Sequence, residues 1–201
     1  ALKFPKAGTY YSLTITSDNK KLSFTGSLTP TGNTVFENID LSSVTAKGAA
    51  KYTITGAKNS TLTIYGCDLG LVTAIGAATT DVNISNVKFA NGQAVKLTAD
   101  ELFFRDIDGI TESIIANTIK ADGAQTLKLL EKKTSQIKTG MTNDSGKITI
   151  NIVTAAGADA ALKKGTVIFS AFKGESFNAD LANDGFVLSR DARTFKVTIA
   201  A

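Results

Sequence analysis

Four aspartates are the residues of this 201-residue chain whose type and spacing could do chemistry. Asp40, Asp68 and Asp108 fall at the same position of a recurring six-residue unit, and Asp106 lies two residues before Asp108. Side chains two apart on a strand point to one side, so Asp106 and Asp108 are expected to share a face. Such carboxylates could serve as general acid and base. They could also offer hard oxygen ligands to calcium. The oxygen-rich stretch NADLANDG, 178–185, adds Asp180 and Asp184 as calcium candidates, although it lacks EF-hand spacing and a closing Glu. The plainer expectation for all of them is a solvent-facing coil or loop position. No catalytic, cofactor or metal residue is therefore assigned, and calcium is the one cofactor left open.

Other chemistries are narrowed by composition. The chain has no histidine, so it has no imidazole base, no Ser-His-Asp or Cys-His pair and no histidine metal ligand. Its single cysteine, Cys67, excludes an internal disulfide and any cysteine-based zinc site. There is no phosphate-binding GxxxxGK[ST] loop and no GxGxxG fingerprint. The net charge is +4, but both halves mix the two signs, which is not the footprint of a nucleic-acid binder. The densest basic cluster, Lys128, Lys132, Lys133 and Lys138, reads as a solvated face. No apolar run approaches the roughly 18–20 residues that span a bilayer. Asn59, Asn83 and Asn143 head N-x-S/T triplets, as expected by chance in a Ser/Thr-rich chain.

The elements that would position these groups are short runs of period two: YSLTITS, KYTITGA, TLTIYG, DVNISNV, KITINIV, TFKVTIA. Apolar and polar residues alternate in each, the mark of a half-buried strand, with Gly, Asn and Asp between them. Four units then align: FENIDL from 36, IYGCDL from 64, ISNVKF from 84 and FRDIDG from 104. Their starts are 28, 20 and 20 residues apart. An apolar residue stands two positions earlier in three of them (Leu62, Val82, Leu102), while Val35 fits less well. A weaker relative is expected over Leu22–Gly26.

A period near 20 residues signals a solenoid, in which units stack because none can bury its apolar face alone. The expected fold is all-β: a parallel β-helix-like solenoid with a small C-terminal β-rich cap, with an antiparallel β-sandwich as the alternative. The small polar residue at Asn38, Gly66, Asn86 and Asp106 then marks a repeated corner, where left-handed backbone is best tolerated. Asparagines there could form a side-chain ladder. Cys67 stacks with Ile39, Val87 and Ile107 as a small buried apolar rung whose thiol is inert. After residue 110 the repeat fades, and 111–137 reads as degenerate coils or a helix. GADAALKKG, 157–165, reads as a short helix with Asp159 near its start, and FVLSRDARTFKVTIA as a hairpin turning at Asp191-Ala192. The domains expected are a body over 1–140, its first 20 residues a cap or exchangeable arm, and a cap domain over 141–201. Phe4, Tyr10, Tyr11, Leu13 and Ile15 would carry assembly if that arm adds as a strand to a neighbouring copy.

Residues 147–200, with GKITINIV, ALKKGTVIFSAF and the final hairpin, resemble the tail of bacterial autotransporter passengers and related extracellular β-solenoid surface proteins. The resemblance implies an exported or cell-surface protein that adheres or assembles without catalysis. Its partners would be copies of itself, surface glycans or a host surface. Ala1 fits signal cleavage, or removal of an initiator Met. The second origin suits the alternative of a phage virion protein, a spike, fibre or decoration subunit. A further alternative is a carbohydrate-active β-helix enzyme, a polysaccharide lyase or hydrolase, using Asp40, Asp68, Asp106 or Asp108.

Overall fold

Period-two alternation becomes strand wherever one face can be buried, and sixteen strands form in the computed structural model. It describes residues 8–11, 27–42, 52–131, 137–142, 146–160, 167–170, 179–181, 186–190 and 195–199. The strands are β1 (Gly8–Tyr11), β2 (Ser27–Leu28), β3 (Thr34–Glu37), β4 (Tyr52–Ile54), β5 (Ser60–Tyr65), β6 (Val72–Gly76), β7 (Thr80–Lys88) and β8 (Ala94–Asp108). There follow β9 (Ile110–Ala121), β10 (Gly123–Leu130), β11 (Ile137–Thr142), β12 (Gly146–Val153), β13 (Val167–Ser170), β14 (Ala179–Leu181), β15 (Phe186–Arg190) and β16 (Phe195–Ile199). No helix occurs among the described residues.

Thirteen of the strands join one parallel network, running β1-β3-β5-β7-β8-β9-β10-β12-β14, with β2, β4, β6 and β11 attached to its sides. This is a β-solenoid of about four turns. The antiparallel sandwich is set aside because every pairing within that network is parallel. The long strand β8 shows how a coil turns: residues 96–98 pair with β6, and residues 102–108 pair with β7.

Stacking places equivalent side chains in columns. One inward column is Phe36-Ile64-Ile84-Phe104-Ala121, in register across β3, β5, β7, β8 and β9. A second is Ile54-Ile75-Leu97-Ile114-Ile137, and each of its five side chains is 1% exposed. Burying an aliphatic side chain of this size contributes about 1.5–3 kcal/mol, so each column fixes register strongly. The weak fit at Val35 has a simple origin: Thr34, not Val35, pairs with Leu62, and Thr34 is buried with its hydroxyl donating to Gly32 O at 3.0 Å.

The four corner residues all adopt positive φ: Asn38 at 54°, Gly66 at 63°, Asn86 at 50° and Asp106 at 48°. This matches the expectation from their residue types. No asparagine ladder can run through Gly66, where a β-carbon would sit 2.6 Å from Asn38 Oδ1. The side chain of Asn38 occupies that space.

Other expectations change. The strand beside β3 is β1, with Tyr10 opposite Phe36. The expected unit over Leu22–Gly26 lies outside the described residues. The stretch after 110 is strand, β9 and β10, rather than helix. Parallel pairing also runs past residue 140, since β12 pairs with β10 over eight residues and β14 pairs with β12. Asp159 does not begin a helix. The chain reverses at residues 154–157, and Asp159 bridges antiparallel to Val153. The remainder of that expected helix, 161–165, lies outside the described residues. β15 and β16 form the expected hairpin, and β13 adds to β16 as a three-stranded antiparallel sheet.

Candidate functional site: the outward charged row and its groove

Positive φ at each corner turns the chain so that the next residue points inward and the one after it outward. Exposure follows that rule. Ile39, Cys67 and Val87 are buried and Ile107 is partly buried, whereas Asp40, Asp68, Lys88 and Asp108 are half-buried or exposed. The last four are linked in register, Asp40 to Asp68, Asp68 to Lys88 and Lys88 to Asp108. The expected outward row therefore exists.

Its first two carboxylates have structural work. Asp40 Oδ1 accepts the Ser42 N–H at 2.8 Å, and Asp68 Oδ1 accepts the Gly70 N–H at 3.0 Å. These are Asx turns that close the corner after the strand. Hydrogen bonds from Ser42, by side chain and then backbone, hold the Asp40 carboxyl below the usual carboxylate range, and Lys88 adds a weaker pull. The pattern was visible as D-L-S and D-L-G, yet the sequence reading took these residues only as surface carboxylates. Further along the row, Lys88 Nζ stands 4.0 Å from Asp68 and Lys128 Nζ stands 3.8 Å from Asp108. Both are surface pairs with an exposed lysine, the kind worth at most about 1 kcal/mol.

Asp106 and Asp108 do not form a pair. The expectation that they share a side assumed unbroken alternation, and positive φ at Asp106 breaks it. Asp106 turns to Arg105 at 3.4 Å, and Arg105 also reaches Asp122 at 3.1 Å, while Asp108 faces Lys128. Among the described residues, no three His, Cys, Asp or Glu side chains are placed to hold a metal ion. Asp180 lies in β14, where only its backbone is described, and Asp184 lies outside the described residues. Tyr10 and Tyr11 lie in β1, whereas Phe4, Leu13 and Ile15 fall outside the described residues.

Cys67 is a buried rung, 2% exposed, and burial pushes its thiol above the ordinary value. It is more than filler. The Ile39 N–H donates to its sulfur at 3.4 Å, and the thiol lies 3.2 Å from Tyr65 O. The sulfur thus ties one coil to the next at the point where the corner interrupts the ladder.

The row ends at a groove of about 280 Å³. Two turns, at 89–92 and 156–157, and the bend at 108–110 bound it, with Lys128 on its rim beside Asp108. Asn91, Gly92, Ala156 and Gly157 are exposed there, while Phe89 and Ile110 lie nearly buried beneath. Sequence reasoning placed Asp108 in the row but missed the groove. Lys128 was read only as part of a basic cluster, and no local signal joins residue 91 to residue 157.

Comparison with protein-family models, curated proteins and solved structures finds no match to this chain. The class rests on the geometry alone, which is that of a β-solenoid.

Proposed function

We propose that the chain is a non-enzymatic structural and adhesive module of a bacterial surface, joining copies of itself through strand edges. One observation carries this reading: parallel register runs from β1 to β14 without reversal. Among the described residues, the end strands β1 and β14 each pair on one side only, as β1 with β3 and β14 with β12. A parallel edge of one copy can therefore continue the sheet of another. The outward carboxylates fit a scaffold better than a catalytic pair, because Asp40 and Asp68 are engaged in turns and Asp106 and Asp108 face different cations. The surface setting rests on the resemblance of 147–200 to autotransporter passenger tails.

The test is size-exclusion chromatography with light scattering on the full chain over a range of concentrations, followed by electron microscopy. Growth into filaments or a fixed large assembly is expected. A monomer at every concentration would refute self-assembly. Cleavage of an anionic polysaccharide, lost in Asp108→Ala, would refute the non-enzymatic reading.

A further inference from the structure

The geometry points to the groove at residues 89–92, 108–110, 128 and 156–157 as a binding site for one ring of a neutral polysaccharide. Its size is the first reason. About 280 Å³ lies just below the usual range for small-molecule sites and suits a single pyranose ring whose chain continues into solvent.

Charge is the second reason. Asp108 and Lys128 stand 3.8 Å apart on the rim, beyond the usual range of a direct hydrogen bond. A hydroxyl both donates and accepts, so one sugar hydroxyl, or two neighbouring ones, can donate to the carboxylate and accept from the ammonium. An anionic ligand would meet Asp108 and a cationic one would meet Lys128. A neutral polyol meets neither penalty. The exposed Asn91 amide adds one more donor and acceptor at the same mouth.

Relief is the third reason. Gly92 and Gly157 line the groove with open space where a side chain would stand, so a ring can approach the backbone. Phe89 and Ile110, 3% and 5% exposed, close the floor beneath it. The inference deepens the adhesive part of the proposed function but does not depend on self-assembly.

The test is a titration of the uniformly ¹⁵N-labelled full chain with cellohexaose, xylohexaose and maltohexaose, and with trigalacturonate as the anionic comparison. At least one neutral probe is expected to shift the Asn91, Gly92, Gly109 and Gly157 amides together and saturably. Ala156→Trp, which blocks the mouth from an exposed position, and Lys128→Met should each weaken that binding by at least about tenfold. Lys58→Met, in an exposed turn away from the groove, should leave it unchanged. The inference is overturned if no neutral probe moves these amides at about 10 mM, a weak-binding limit. It is equally overturned if only trigalacturonate binds, or if Ala156→Trp binds as the parent does. Loss of binding with assembly intact would remove this inference alone. Cleavage of a bound probe would leave the groove standing and refute the non-enzymatic reading.

Discussion

Replacing Thr111 with valine should stabilise the protein. Thr111 is fully buried, and its hydroxyl is the one buried side-chain polar atom without a hydrogen-bond partner among the described residues. It pairs with Val95 on one side and Leu129 on the other, both 0% exposed, so its surroundings are aliphatic. A hydroxyl moved from water into such a place without a partner costs about 1–3 kcal/mol. Valine has nearly the same shape, so the exchange opens no cavity. Allowing for imperfect packing of the new methyl, a net gain of about 1 kcal/mol is expected. For a chain of this length that corresponds to a rise in Tm of roughly 2–4 °C. Urea unfolding should show a higher midpoint with an unchanged slope. The reciprocal change Val95→Thr, in the same column, should lower the midpoint. A Thr111→Val variant no more stable than the parent would refute the reasoning, because it would mean that the hydroxyl has a partner or that the column is not packed as described.

Three further outcomes follow from single contacts. Gly76→Ala should destabilise by about 2–4 kcal/mol, from left-handed backbone plus overlap, and urea midpoints will show it. Gly76 has φ of 86°, and a β-carbon there would collide with Thr98 O and lie 2.8 Å from Val82 Cγ2. Cys67 should react with iodoacetamide at least about tenfold more slowly in the native protein than in urea, because burial raises its pKa and closes access; equal rates would refute its placement as a rung. Asp40 has a folded pKa below its unfolded one, so its stabilising contribution is complete above the unfolded value and is lost as pH falls through the folded value. The stability difference between the parent and Asp40→Ala should therefore be constant from about pH 7 to pH 5 and shrink below about pH 4. A difference that grows on acidification would contradict the Ser42 turn.

Much of the body was legible locally. Alternation in TLTIYG and DVNISNV reports which side chains can face a core, and that needs no knowledge of the neighbouring strand. The corners were equally legible, because Asn, Gly and Asp tolerate left-handed backbone better than other residues. Where identity drifted, spacing failed too. Phe104 pairs with Ala121, 17 residues on, and Ile114 with Ile137, 23 residues on. Neither offset continues the earlier 20, and alanine carries little signal of a column that begins with phenylalanine. The corner bonds show the same shift. Asn38 N–H donates to Tyr65 O at 3.0 Å and Gly66 N–H to Ser85 O at 3.1 Å, but Asp106 N–H is taken by the Gln125 side chain at 2.9 Å.

Residue order alone therefore decided the strand class, the repeated unit and its left-handed corners, because alternation and φ preference act within a few residues. Tertiary structure decided which strand lies beside which, the partner of each aspartate, the orphaned Thr111 hydroxyl and the groove. Parallel strands are joined by long crossovers, so no tight turn dictates their register. Register comes instead from burying distant side chains in common columns. A groove bounded by residues 91, 108, 128 and 157 exists only once those columns have formed.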